Sequence, residues 1–469
     1  MLIRLLQRAF GIDPEAKPLP GPQPPDRGPF RRDFWRSPLR GPWLASLLSS
    51  ALLPLILICA LTGFVSHVAY DSELGANSVT GDDGLLTPIY AALDWPAGWA
   101  WLYAVNQGLH VIAGLAAIPI LLAKLWTVIP KLWERPALRS LAHALERVSL
   151  ALLVGASLFV FFTGVLNIQI YYPFGFGFVP AHYYGAFIFM AALTFHVAIK
   201  LPDLARAFRE RGVVAPLRED RASTRPEPPE SSESAPTAPR AATISRRGFV
   251  GAVGLGSVGL GLMAAGQSVG GPLRPLGLLA PRGQYYGTGP NDFQVNKTAT
   301  SAGIMPAQTG ASWRLELRGG RTLELSREEL LRLPLSTQKL PIACVEGWST
   351  TQTWTGVPLR DLGRLAGVDD PDELFVQSLQ EAVLGQTTLN NSQASDPRSL
   401  LALRVNGADL PCTRRRVAER ARDAPRGPRR SLEANARCYT CCYIGPTARP
   451  LVRNPGRVTC GFARRDDRM

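Results

Sequence analysis

The chain has five histidines, His67, His110, His143, His182 and His196, and four of them lie in or at the ends of long apolar runs. An ionisable ring inside a bilayer is costly, so His67, His110, His182 and His196 are functional candidates by default. His182 and His196 are fourteen residues apart, which puts them on one helix face and about 21 Å apart along its axis. That spacing suits two haems stacked across a membrane. His67 falls at the outer end of its run, level with His182, and His110 lies deeper, nearer the level of His196. The expected sets are therefore His67 with His182 for an outer haem b, and His110 with His196 for an inner one. Two imidazoles on one iron leave no open position, which suits one-electron transfer. The alternative, hydrogen bonding between helices, explains one such histidine better than four on three helices. His143, among Arg139, Glu146 and Arg147, reads as an ordinary interfacial residue.

Of the seven cysteines, Cys344 stands alone in the segment Ile342-Ala343-Cys344-Val345-Glu346-Gly347-Trp348-Ser349. A thiolate is a soft, electron-rich metal ligand; the alternative is a buried structural thiol. Cys59 sits in an apolar run and reads as packing. Cys412, Cys438, Cys441, Cys442 and Cys460 crowd into the last segment, which does not resemble a disulfide framework spread over a fold.

The elements that must hold these groups begin with four apolar runs, at about 45–68, 103–126, 148–170 and 181–199. Each approaches or exceeds the roughly 20 residues needed to cross a bilayer. Hydrophobic residues make up 46% of the chain and charged ones only 19%, which is light on charge for a soluble protein. Arg31, Arg32, Arg36 and Arg40 precede the first run, Lys131, Arg135, Arg139 and Arg147 separate the second from the third, and Arg206, Arg209 and Arg211 follow the fourth. The loop after the first run carries Asp71, Glu73, Asp82 and Asp83 without Lys or Arg. By the positive-inside rule both ends of the bundle are cytoplasmic, and the net charge of +14 is explained by these loops rather than by nucleic-acid binding. No basic helix with interleaved aromatics is present to favour nucleic acid.

Residues 212–244 hold almost no large apolar group and are expected to be a disordered linker. Ser245-Arg246-Arg247-Gly248-Phe249-Val250 and the Gly-rich stretch behind it resemble an internal twin-arginine export signal, or else form a fifth membrane helix. Both readings put the chain after residue 270 outside the cytoplasm. There, short alternating strands such as Trp313-Arg-Leu-Glu-Leu-Arg318 and short helical pieces predict an α+β domain up to about residue 410.

Two resemblances sharpen these readings. Over roughly residues 40–210 the histidine pattern resembles the di-haem cytochrome b subunits of formate dehydrogenases and nickel–iron hydrogenases. The Cys344 segment, followed by Trp354-Thr-Gly-Val-Pro-Leu-Arg-Asp-Leu362, resembles the sulfite oxidase family of molybdopterin enzymes, closest to its protein-methionine-sulfoxide reductase branch. That likeness runs from Asn291-Asp292-Phe293 to Leu400-Leu-Ala-Leu-Arg-Val-Asn-Gly407. It implies that Cys344 binds molybdenum, that Asn291 contacts the pterin and that Ser378 lies near the cofactor. Beyond residue 411 the family's closing segment, which grips the pterin phosphate, is not legible, and the text turns Arg- and Cys-rich without strand alternation. A shifted reading frame is one explanation; a metal site at Cys438-Tyr-Thr-Cys441 is the other.

The fold class expected is thus a membrane all-α four-helix haem bundle with one further membrane or signal helix, then an α+β sulfite-oxidase-type molybdopterin domain with an aberrant tail. The expected segments are a cytoplasmic tail (1–42), the cytochrome b-like bundle (43–211), the linker (212–244), the signal or fifth helix (245–270), the extracytoplasmic redox domain (271–410) and the tail (411–469). The function expected is an oxidoreductase in a bacterial cytoplasmic membrane. It would use molybdenum-molybdopterin and two b haems to exchange electrons between the quinone pool and an extracytoplasmic sulfoxide. Sulfite-type oxidation at the same site, or a haem-binding anchor with an inactive outer domain, are the alternatives.

Overall fold

The computed structural model describes residues 27–68, 99–133, 141–228, 234–281, 283–284, 293, 303–305, 308–379, 386–410 and 457–463. Asn291, the acidic loop at 71–83 and the cysteines at 412, 438, 441 and 442 lie outside the described residues. The chain divides into two compact units, the first made of Met1–Thr62 and Leu109–Ala265, the second of Gly63–Gly108 and Gly266–Met469.

Five long helices run through the N-terminal half: α1 (Pro42–Val68), α2 (Leu102–Val128), α3 (Leu141–Ile168), α4 (Phe178–Arg211) and α5 (Arg246–Ser268). All five contain stretches long and apolar enough to cross a membrane. In the first unit Leu44, Leu48, Leu52 and Ile56, spaced four apart, form one buried stripe of α1. The stripe packs with Ala117, Ile120 and Leu121 of α2 and Phe189 of α4. Leu57, Leu61, Leu122, Leu152, Phe162 and Ile188 stay exposed, as lipid-facing side chains must.

Helix α5 packs into the bundle through small residues. A Cβ on Gly256 or Gly261 would sit 3.6 Å from Pro119 or Ala116 of α2, and Ser257 Oγ donates to Ala116 O at 2.6 Å. Small residues allow this close backbone approach in the absence of a hydrophobic drive between helices. The Gly-rich text that weakened the apolar signal is therefore what lets the helix seat.

The 212–244 stretch is not the loose linker its composition predicts. Arg246 is fully buried; its guanidinium donates to Glu219 Oε2 (2.5 Å), Arg225 O (2.6 Å) and Pro38 O (3.0 Å). Arg211 pairs with Glu219 at 3.2 Å and lies 3.9 Å from Glu227. The Glu227 carboxylate accepts from Trp43 N–H at 3.1 Å. Burial pushes this carboxyl above the usual carboxylate range, and Trp43 N–H and Arg211 pull it back. Partnered charges, not apolar burial, order this segment, and composition does not report partners.

The second unit holds two sheets. Strands β3 (Ser336–Ala343), β4 (Ser349–Pro358), β7 (Leu400–Val405) and β8 (Ala408–Asp409) form a four-stranded sheet in the order β3-β4-β7-β8. The β7–β8 turn is Asn406-Gly407, both at positive φ as a tight hairpin requires. Strands β1 (Arg314–Arg318), β2 (Thr322–Leu325), β5 (Glu373–Gln377), β6 (Gln386–Asn390) and β9 (Arg457–Ala463) form the other, in the order β2-β1-β9-β5-β6. A core of Leu315, Leu317, Leu330, Leu362, Leu374 and Leu389 joins this sheet to its short helices.

Strand β9 corrects the expectation of a tail without strands. It lies mid-sheet, parallel to β1 and antiparallel to β5. Val458, Cys460 and Phe462 fall opposite Leu315, Leu317 and Leu374, all fully buried. The alternation is only three apolar residues long, which hides it in Arg-rich text.

Candidate functional site

Cys344 follows directly on β3, at the start of a closed turn. Its N–H donates to Trp348 O (2.9 Å), and Gly347 N–H donates back to Cys344 O (3.0 Å). Gly347 sits at φ +80°, a left-handed value that costs glycine little. The thiol is half-buried and in no disulfide among the described residues, with Sγ 3.7 Å from Glu346 Oε2. It packs against a core of Phe293, Leu340, Trp348, Trp354, Leu400 and Val405.

The turn is tied at three points to helix ends of the same unit. Gln107 Nε2 of α2 donates to Val345 O at 3.0 Å. Ser268 Oγ, at the end of α5, donates to Gly347 O at 2.6 Å, and Ser349 Oγ donates to Ser268 O. Ser66 Oγ of α1 donates to Gln107 Oε1 at 3.0 Å. None of Ser66, Gln107 or Ser268 was singled out from sequence; each is a polar break at the end of an apolar run, and that was the available signal.

Among the described residues no group of three or more His, Cys, Asp and Glu side chains is placed to hold a metal by itself. Cys344 instead offers one thiolate, which suits a metal that brings most of its own ligands. Trp348 adds a donor: it is 8% exposed, and its Nε1 is buried without a hydrogen-bond partner among the described residues. A buried N–H left unmade is expensive, so a donor held in this way fits an acceptor carried in by a cofactor. The residues present therefore fit a molybdopterin-type group. Ser378 is half-buried just after β5, in the other sheet, so the structure does not place it on the Cys344 turn.

The histidines are sorted differently from the expectation. His110 on α2 and His182 on α4 have ring centroids 6.1 Å apart, with planes at 78°. Rings at that separation are close enough that both would be able to ligate one metal ion. His110 Nδ1 lies 2.9 Å from Cys59 O, a group that can only accept, so Nδ1 carries the proton and Nε2 is left with its lone pair. His182 Nδ1 lies 3.1 Å from Thr163 Oγ1, which itself donates to Phe159 O at 2.8 Å. Both rings thus present Nε2, the arrangement that metal-ligating histidines use.

The structure brings His110 beside His182, not beside the His196 that the sequence reading set with it. His196 is fourteen residues beyond His182, roughly 21 Å along α4. The reason is where the helices start: His110 is eight residues into α2 and His182 four into α4, so both sit near the beginning of their helices. His196 instead lies four residues before Lys200, whose Nζ is 3.0 Å from Glu146 Oε1. His67 is buried at the end of α1, within the second unit.

Comparison with known proteins adds a family for the second unit. Residues 302–414 match the oxidoreductase molybdopterin binding domain, a range that includes Cys344 and Ser378. The protein-methionine-sulfoxide reductase catalytic subunit MsrP of Gluconobacter oxydans is 31% identical over 193 residues, 36% of this chain and 60% of the relative. YedZ1 of Azospira oryzae, provisionally named a protein-methionine-sulfoxide reductase subunit, is 35% identical over 103 residues, 22% of this chain and 38% of the relative. The chain thus spans less than two thirds of the length of either relative. It carries a molybdopterin-type oxidoreductase domain together with five helices able to cross a membrane.

Proposed function

We propose that this protein is a membrane-bound, molybdopterin-dependent reductase that takes electrons from quinol and delivers them to a sulfoxide on the far side of the membrane. The observation that carries the reading is the attachment of the Cys344 turn to the ends of α1, α2 and α5 by Gln107, Ser66 and Ser268. A thiol fixed in that way sits where membrane helices deliver electrons. The names of the relatives supply the substrate class, a protein-bound methionine sulfoxide. The net reaction converts sulfoxide and quinol into sulfide, water and quinone.

In this reading Cys344 holds the metal, Trp348 Nε1 faces the cofactor's acceptors, and Asn291 and Ser378 contribute to its pocket. Bound molybdenum supplies two-electron oxygen-atom chemistry, and haem b supplies single-electron steps. His110 and His182 hold a haem, with Cys59 O and Thr163 fixing which nitrogen each presents. His67 and His196 remain separate ligand candidates from the sequence, on different helices and at different depths. The basic loops support a cytoplasmic N-terminus and cytoplasmic 206–247 stretch, with the sheets outside.

The test is the composition and activity of the purified full-length chain. Molybdenum, at least one haem, and quinol-dependent reduction of methionine sulfoxide are expected together. Haem without molybdenum would make the protein an anchor, and turnover of sulfite alone would reverse the direction. A narrower check concerns Gly164 of α3, where an added Cβ would meet His182 Cε1 at 3.3 Å. Gly164→Val is expected to displace this ring and lower haem content, read from the Soret band of protein purified at equal yield. Full haem occupancy in that variant would contradict the His182 assignment.

A further inference from the structure

We propose that Gln107 is the positioning residue that couples the Cys344 turn to the haem-holding helix, an inference that rests on the function proposed above. Both ends of its amide are committed. Nε2 donates to Val345 O at 3.0 Å, and Oε1 accepts from Ser66 Oγ at 3.0 Å. A carbonyl can only accept and the serine hydroxyl has one proton to give, so the amide has one orientation. Gln107 is 7% exposed and, with Asn106 beside it, forms a buried polar pair in a helix that is otherwise largely apolar. A buried amide is costly there, and leucine would suit the pattern better.

Its neighbours on α2 show what that contact serves. His110 follows three residues later, one helical turn of about 4.5 Å. The connection from metal ligand to metal ligand is short: the Cys344–Val345 peptide, one hydrogen bond, the Gln107 side chain, one turn of helix, and the His110 ring. Ser66 fixes the amide from α1, and it also lies 3.4 Å from Tyr103 OH. A haem held at His110 would supply single electrons and a metal held at Cys344 would use them in pairs, with Gln107 fixing the turn that carries the metal's thiol. Quinol is the source of these electrons, and the sulfoxide, losing its oxygen as water, is their sink.

Gln107→Met keeps the length and removes both hydrogen bonds. Its haem and molybdenum contents should match the parent, as should sulfoxide reduction driven by a soluble viologen that feeds the molybdenum site directly. Quinol-driven reduction should fall about tenfold or more, because misplacing a group by about an ångström can cost that much. Independently of cofactor loading, amide exchange at residues 345–347 should rise several-fold in the cofactor-free chain. Ser66→Ala, which only releases the amide's orientation, should shift both readouts in the same direction by less, and it stands in if the methionine variant fails to fold. Equal losses with viologen and quinol, or no loss with either, would overturn the coupling. Parent protein without haem would remove the proposed function and the electron route together, while the exchange measurement would still report whether Gln107 holds the turn.

Discussion

Cys344→Ser is expected to lose sulfoxide reduction by about a thousandfold or more, equivalent to roughly 4 kcal/mol of barrier. The serine hydroxyl is harder than sulfur and stays protonated at neutral pH, so it cannot replace a thiolate on a soft metal. The turn itself should survive, because its closing bonds, Cys344 N–H to Trp348 O and Gly347 N–H to Cys344 O, are made by the backbone. Folding and the haem spectrum should therefore match the parent, while bound molybdenum falls or changes its paramagnetic signal. Near-parental turnover would show that sulfur is not the metal's ligand. Loss of haem along with activity would show that the two centres are not separate.

His182→Ala should be comparably severe, but with the opposite partition. The variant is expected to lose the haem held with His110, and His110→Ala should lose the same one, since the two rings face each other at 6.1 Å. Quinol-driven reduction should drop by about a hundredfold or more, whereas viologen-driven reduction at Cys344 should persist, because viologen feeds the molybdenum site without using the haem. His196→Ala should leave this haem in place. If His110→Ala and His196→Ala instead removed one common haem and spared a second, the pairing drawn from the structure would be wrong.

How far the sequence reaches can be judged on particular residues. The apolar runs at 45–68 and 103–126 find α1 and α2 within three residues at either end. That at 181–199 stops twelve residues short of the end of α4. Beyond the apolar stretch α4 continues through Lys200, Asp203 and Arg206, charges a helix tolerates once it has left the apolar medium, so hydropathy marks the span and not the helix. Cys344 stands out in the sequence by its flanking residues. The meeting of His110 with His182 does not, because depth depends on where each helix starts, and Leu102 and Phe178 carry no capping signal. Gln107 and Ser66 were visible as polar residues in apolar text, but their meeting across α1 and α2 is a tertiary fact. The clasp on Arg246 was hidden because its partners, Glu219 and Pro38, are distant in the chain.

The position of β9 bears on biosynthesis. Its neighbours β1 and β5 emerge from the ribosome long before it, with Arg314 waiting for Arg457 and Gln377 for Thr459. Until then β2-β1 and β5-β6 are two isolated hairpins, each marginal in water, and their union must await a distant parallel pairing of the slow-folding kind. A nonsense codon anywhere upstream of residue 457 would remove the middle of that sheet, not its rim, leaving two unpaired edges on a nascent domain.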